Sequence, residues 1–302
     1  MQSIDTALEM AFAEITSVCE QGPTILGAPT GYKALDRILC GIRPGEITHA
    51  AATTLEIGTA FLYNVALNAA KAGEQVLFLT LNASTQLAAE YLLSVESSIS
   101  LERLHLGKLT EDDWDALSQA TNWLNQLDIQ FFDYPMLTTT ELMELLREAI
   151  NEGPRRPLIV VESDDFAMPY LSGEHAYRTR EPLYGFLAFA RAKGVSVLLG
   201  DLLPDREGYS YTNYYFDKMC CAGSILKIDE GVPTAEGAHE TITVDVIKNS
   251  HGPKGSVVLL YNPATHAIKS RYNVAEDGDY EDISYEELKK MFEEENSTSK
   301  KQ

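Results

Sequence analysis

Between residues 45 and 202 the chain alternates short, nearly all-apolar runs with longer amphipathic stretches, and this beat restricts the fold more than any single motif does. The apolar runs at 49–52, 75–81, 129–134, 157–162 and 195–202 predict strands. The stretches at 59–72, 84–96, 110–126, 139–151 and 181–193 carry the helical period and predict helices. Strands apolar on both sides and separated by helices indicate a parallel sheet covered on each face. After about residue 222 the runs lie closer together, at 224–229, 241–248, 256–261 and 267–272, with Gly, Pro and Asn turns between them. That spacing predicts an antiparallel or mixed edge to the same sheet.

Two segments flank this body. Residues 5–20 place Ala7, Leu8, Met10, Ala11, Phe12, Ile15, Val18 and Cys19 on one broad stripe, ending before Gln21-Gly22-Pro23, so an amphipathic helix is expected. Residues 276–302 carry ten acidic side chains against four lysines. Within them Ser284 and Glu287 form a capping box for a short helix over Leu288, Met291 and Phe292. The division is therefore a helix at 1–22, an α/β domain at 23–275 and an acidic tail at 276–302. The tail is expected to solubilise the chain; mimicry of a nucleic acid is the sharper alternative.

Charge restricts the partners. The chain has 24 Lys+Arg against 45 Asp+Glu, a net charge of −21 over 302 residues. That field opposes polyanions, so nucleic-acid binding by this chain alone is not expected. Cys19, Cys40, Cys220 and Cys221 show no zinc or redox spacing, which favours a reducing compartment. No run approaches the ~20 apolar residues of a membrane span, and the start lacks the pattern of a secretion signal. A cytoplasmic protein without a membrane segment is expected.

The segment 45–70 has the layout of strand, phosphate-binding loop and helix, but the residues that hold phosphate are missing. A working loop reads G-x-x-x-x-G-K-[ST], with backbone amides around the phosphates, a Lys on the terminal phosphates and a hydroxyl on magnesium. Here the Gly-Lys-Thr slot holds Ile57, Gly58 and Thr59, preceded by Glu56. A carboxylate in an anion cradle repels a triphosphate, and no ammonium compensates. The β-branched Ile57 also resists the positive φ that Gly permits, so an altered loop path is expected.

Five further stretches share an order. These are Gly27-Ala28-Pro29-Thr30-Gly31-Tyr32-Lys33-Ala34-Leu35-Asp36; Gly41-Ile42-Arg43-Pro44-Gly45-Glu46; Thr59 to Ala70; Leu106 to Trp114 with the Asp112-Asp113-Trp114 triplet; and Gly252-Pro253-Lys254-Gly255. Each alone is a turn or a cap. In register from about residue 5 to 272, they resemble the C-terminal RecA-like motor domain of DnaB-type replicative DNA helicases, without that family's N-terminal domain. The resemblance implies a RecA-like P-loop NTPase fold, with a central, mainly parallel sheet flanked by helices and antiparallel strands at the C-terminal edge.

The same resemblance assigns a chemical role to each position, and this chain departs at most of them. The phosphate-loop Lys falls on Gly58, while Thr59 keeps the hydroxyl. The catalytic Glu falls on Asn82, whose amide cannot take a proton from water. The Walker B Asp becomes Glu162, one methylene longer. A polar phosphate sensor becomes Leu202. In the trans-acting finger segment Lys248 remains, but the Arg position holds Ser250, and an arginine finger contributes a large factor to hydrolysis. The 205–221 loop, where DNA-facing cations are implied, offers only Arg206 and Lys218 among Tyr209, Tyr211, Tyr214, Tyr215 and Phe216. That composition suits a protein contact or local packing more than base stacking.

The expectation is a catalytically inactive, DnaB-like pseudo-helicase with no catalytic residues, no ATP or magnesium and no metal. It would act through protein contacts, with another copy or with a replicative helicase, as an accessory, regulator or scaffold. The alternative is an ATP-dependent replicative helicase with an unusual site, which would take ATP and magnesium.

Overall fold

In the computed structural model, the structure describes residues 3–21, 26–80, 83–133, 139–151, 156–162, 180–203, 222–233 and 240–270. Asn82, the Tyr-rich 205–221 loop and the acidic tail with its expected capping box lie outside the described residues.

The chain begins with α1 (Ile4–Gln21) and α2 (Lys33–Leu39), then β1 (Ile47–Ala52), α3 (Leu55–Lys71), β2 (Val76–Thr80) and α4 (Thr85–Ser97). Next come α5 (Leu101–Leu106), α6 (Glu111–Leu124), β3 (Ile129–Asp133), α7 (Thr139–Asn151), β4 (Leu158–Val161), α8 (Arg180–Lys193) and β5 (Ser196–Leu202). Four strands follow: β6 (Ser224–Pro233), β7 (Glu240–Asn249), β8 (Gly255–Asn262) and β9 (Ala267–Ser270).

Among the described residues these strands form one nine-stranded sheet in the order β3-β2-β4-β5-β1-β6-β7-β8-β9. Pairing is parallel from β3 through β6 and antiparallel from β6 to β9. β6 is the seam, since it runs parallel to β1 on one side and antiparallel to β7 on the other.

Alternation along the strands builds two cores. Val76, Phe78, Leu158, Val160 and Leu198 point to the face covered by α2, α3 and α4. Leu77, Leu79, Ile159, Val161, Val197 and Leu199 point to the face covered by α7 and α8. Both faces are buried, which is why the parallel strands read as continuous apolar runs instead of alternating ones.

α3 is the axis of the first core. It buries Ile57, Phe61, Leu62, Tyr63, Val65 and Leu67 together with Thr59, Ala60, Ala66, Ala69 and Ala70, a nearly all-round apolar helix. Asn64, also buried, is the polar exception: its Nδ2 donates to the carbonyls of Ala60 and His266, each at 2.8 Å, and its Oδ1 accepts from Ile268 N at 3.0 Å. One amide thus fastens α3 to the β8–β9 hairpin with donors and acceptor satisfied.

α1 behaves differently. Every residue of α1 whose exposure is described is exposed, including Ile4, Leu8, Met10, Phe12 and Ile15. The apolar stripe legible in the sequence is present, and the described part of the sheet domain does not cover it.

Candidate functional site

The strand, loop and helix at 45–70 are present, but the loop is much shorter than the sequence pattern implies. β1 ends at Ala52, Thr53 and Thr54 make the connection, and α3 starts at Leu55, four residues before the expected residue 59. Leu55, Glu56, Ile57 and Gly58 are helical, and the physical reason is local. The segment holds no proline, its only glycine is Gly58, and Ile57 gains a buried place with 2% of its surface exposed.

That change consumes the cradle. Gly58 N donates to Thr54 O at 3.1 Å, a helical bond in place of a phosphate contact. Only the first-turn amides of Leu55, Glu56 and Ile57 lack an acceptor within the helix. Thr54, at the N-cap, makes no side-chain cap bond, and its buried hydroxyl has no partner. The positive end of α3 favours an anion, and Glu56 in the first turn supplies one.

Glu56 is engaged. Tyr261 Oη donates to Glu56 Oε1 at 2.9 Å and lies 2.9 Å from His266 Nδ1, while His266 Nδ1 is 3.9 Å from Glu56 Oε1. With the single phenol proton directed at Glu56, Tyr261 Oη accepts from Nδ1–H of His266, and that fixes the tautomer. His266 sits in the β8–β9 turn at φ 57°, the left-handed region. Its ring meets Tyr91 edge-on, with centroids 5.0 Å apart, and Tyr91 stacks on Tyr63 at 5.1 Å.

The electrostatics of this cluster are acidic. Burial, then the Glu56 bond, pushes the Tyr261 phenol well above its ordinary range. Burial raises Tyr63 and Tyr91 as well, with the Glu162 carboxylate adding to both and Glu56 to Tyr91. Burial pushes the His266 imidazole down, opposed by Glu56. Tyr63 Oη is buried without a hydrogen-bond partner. No sequence signal linked these residues, because Glu56 and Tyr261 are 205 residues apart.

The other expected positions divide between the two faces of the sheet. Glu162 follows β4, is 5% exposed, and lies within electrostatic reach of Tyr63 on the α3 side. Gly200 on β5 lets the end of β4 and Leu62 of α3 pack closely, since a Cβ there would meet the Glu162 backbone O at 2.5 Å and Leu62 Cδ1 at 2.6 Å. Leu202 ends β5 and is exposed. Its neighbour Asp201 points to the opposite face, where its Oδ2 lies 3.4 Å from the buried His49 Nε2. The phosphate sensor is therefore not replaced by the adjacent carboxylate.

Lys248 and Ser250 are held by their own chain. Lys248 Nζ donates to the Ala222 carbonyl, and Ser250 donates to Gly223 O through both Oγ, at 2.9 Å, and N, at 3.0 Å. Glu56, Ile57, Gly58, Thr59 and Glu162 thus gather around the α3 N-terminus and the carboxyl end of β4. Leu202 is at the neighbouring strand end, and Lys248 and Ser250 lie beside the start of β6.

Several matched stretches have structural work of their own. Asp36 accepts from Thr30 N, Thr30 Oγ1 and Gly31 N at 2.8, 2.9 and 3.1 Å. Thr110 and Asp113 form a reciprocal capping box for α6, and Asp113 also pairs with Arg103. Asn249 Nδ2 closes the Gly252–Gly255 turn by bonding Pro253 O at 3.0 Å and Ile38 O at 2.7 Å.

The chemistry of the donor set does not fit magnesium triphosphate. Gly58 N is committed to the helix, the three first-turn amides that stay open share their turn with the Glu56 carboxylate, and no cation stands at position 58. Among the described residues no group of three or more His, Cys, Asp and Glu could hold a metal ion.

Comparison with known proteins gives a consistent relationship. Residues 27–166 match the model of the DnaB-like helicase C terminal domain. The replicative DNA helicase DnaB of Geobacillus stearothermophilus is 30% identical over 153 residues, half of this chain and 34% of that protein. The replicative DNA helicase DnaC of Bacillus subtilis gives the same identity and the same coverage. The chain thus spans about a third of the length of these curated relatives. Among solved structures, an isolated ATPase domain superposes with a TM-score of 0.78 at 19% identity, covering 89% of this chain and 99% of that one. A DnaB-like replicative helicase, described with its interactions with primase, gives 0.76 at 20% identity and covers 89% and 67%. Residues 27–166 are therefore those of a DnaB-like helicase C-terminal domain, homologous to replicative helicase DnaB and folded as RecA-like DnaB ATPase domains are.

Proposed function

We propose that this chain is a pseudo-ATPase of the DnaB-like group, which keeps the RecA-like frame for its surfaces and does not bind or hydrolyse ATP. The observation that carries the reading is the start of α3 at Leu55. It puts Ile57 in the core, commits Gly58 N to Thr54 O, and leaves the Glu56 carboxylate in the first turn of the helix. Electrostatic stabilisation supplies most of the rate in phosphoryl transfer, so a site that repels the γ-phosphate has no transition state to stabilise.

Function then lies in protein contacts, as a DNA-replication accessory, regulator or scaffold in the cytoplasm. The partner is another copy or a replicative helicase. Autonomous binding of nucleic acid is disfavoured by the net charge of −21. Among the described residues no helix is long and apolar enough to cross a membrane.

Calorimetric titration with Mg-ATP tests the nucleotide half of the reading. The expected result is no heat of binding up to millimolar nucleotide, on the order of 1 mM being the upper end of ordinary substrate affinity. Micromolar binding that is lost in Thr59→Ala would establish the alternative, an active helicase with an unusual site. For the regulatory half, adding saturating protein to a replicative helicase should change its unwinding or its assembly, and an unchanged rate and mass would sink that version.

A further inference from the structure

Side chains from three elements meet in a circuit beside the first turn of α3. Glu56, Ala60 and Tyr63 share one face of that helix, and a long helical side chain leans toward the helix N-terminus, which directs the Tyr63 phenol along the face toward Glu56. The Tyr63 ring stacks on Tyr91 of α4 with centroids 5.1 Å apart, and Tyr91 meets His266 at 5.0 Å. The His266 ring lies 6.1 Å from Tyr261, whose Oη donates back to Glu56 Oε1 at 2.9 Å.

The circuit closes with polar atoms left over. Tyr63 is 1% exposed, yet its Oη is buried without a hydrogen-bond partner, so the fold bears the desolvation of that hydroxyl with nothing in return. Thr54 Oγ1, at the N-cap of α3, is buried and unpartnered as well. Glu56 bonds Tyr261 through Oε1, and its side chain is 56% exposed, so the carboxylate is accessible from outside.

The sign of the charge selects the ligand. The carboxylates that act on Tyr63, Tyr91, Tyr261 and His266 are Glu56, Glu162 and Glu240, and among the described residues no Lys or Arg acts on them. Such a field repels anions and attracts a cation. A divalent metal ion is poorly served, since it takes about six or more oxygens and this circuit is walled mostly by rings. An alkylammonium is well served: its N–H groups donate and accept nothing, which matches a carboxylate and a phenol oxygen, and its carbon stem suits aromatic walls.

We propose that Glu56, Tyr63, Tyr91, Tyr261 and His266 form a binding site for a small organic ammonium ion, held by the Glu56 carboxylate and the Tyr63 hydroxyl. The inference rests on the reading that this end of α3 does not take a triphosphate, and it gives the same place a ligand of opposite charge.

The test is calorimetric titration of the full chain with putrescine, a four-carbon diamine, with butanol as the uncharged control. At roughly 0.15 M salt, which screens general attraction to an acidic surface, the diamine should bind at least about ten-fold tighter than the alcohol. Tyr63→Phe removes the orphaned hydroxyl and keeps the ring. It should weaken the diamine about ten-fold while the urea midpoint holds or rises, because an unsatisfied buried group has gone. A hydroxyl that merely sat in the core would give the second result without the first. Glu56→Gln should weaken the diamine about ten-fold or more.

Equal affinity for diamine and alcohol, or diamine binding that survives both substitutions, overturns the inference. So does magnesium that binds at Glu56 and excludes the diamine, which would make this a metal site. The Mg-ATP titration separates the two readings. Nucleotide binding together with Glu56-dependent diamine binding refutes the pseudo-ATPase and leaves the ammonium site standing. Absence of both refutes the ammonium site alone.

Discussion

The Glu56 carboxylate holds the first turn of α3 to the β8–β9 hairpin through Tyr261 and His266, so these three residues should couple in stability and in pH dependence. Tyr261→Phe removes both hydrogen bonds and keeps the ring, and it should cost about 1–2 kcal/mol in urea denaturation. The pH sign follows from burial at His266, which holds the imidazole below its ordinary range. As pH falls through that range the unfolded chain takes up protons before the fold does, so stability declines. Asp113 and Glu90 add a second decline at lower pH. The Thr110 bonds and Arg103 hold Asp113 low, and the Gln86 and His105 bonds hold Glu90 low, so each stabilising contribution is lost as pH falls through its folded value. Urea midpoints from about pH 7.5 down to about pH 2 should show both declines, and His266→Gln should remove the upper one. None of this is legible in the sequence. A Glu, a Tyr and a His far apart in the chain become neighbours only when the hairpin folds over α3, and sequence spacing records nothing of such a meeting.

At the scale of elements, the helices and strands are largely legible because the inner strands β1, β2, β4 and β5 are buried on both faces and read as apolar runs. α2 is not, since its first four residues close a matched stretch whose Thr30 and Asp36 read as a turn. The start of α3 departs from its expected place for a different reason. A phosphate-loop template assigns residues 55–58 to loop, yet Leu-Glu-Ile is ordinary helical sequence, and burial of Ile57 outweighs the template. Two element-level contributions can be measured by thermal or urea unfolding. Thr110→Ala removes the N-cap half of the α6 box and should cost about 1 kcal/mol. Asn64→Leu leaves Ile268 N and His266 O without partners in a buried setting and should cost about 2–4 kcal/mol, loosening the β8–β9 hairpin first.

For the whole molecule, the two cores and the single sheet predict one cooperative unit from which α1 stands apart. Hydrogen exchange should show it. Amides of β1, β4 and β5 should open only with global unfolding, while those of α1 should exchange many orders of magnitude faster, limited by helix fraying alone. Slow exchange along α1 in the isolated chain would mean that its apolar stripe is covered. The layers of this unit and its change from parallel to antiparallel pairing are readable from the chain, because hydrophobic period and connection length determine them; the strand order, which sets β1 between β5 and β6, is not. The use to which the frame is put is not, because α3 starting four residues early leaves the fold unchanged.

That early start has a consequence for reversibility. A Cβ at Gly58 would lie 3.0 Å from Ala52 Cβ, so any side chain placed there crowds the end of β1. Gly58→Lys therefore sets an ammonium against a packed strand end, and it should destabilise the fold without restoring nucleotide binding. Ile57→Gly opens a cavity in the core and leaves the cradle without its cation. On the pseudo-ATPase reading, each single step back toward a phosphate loop passes through a less stable protein that still lacks the activity, so the helix turn at 55–58 would work as a ratchet.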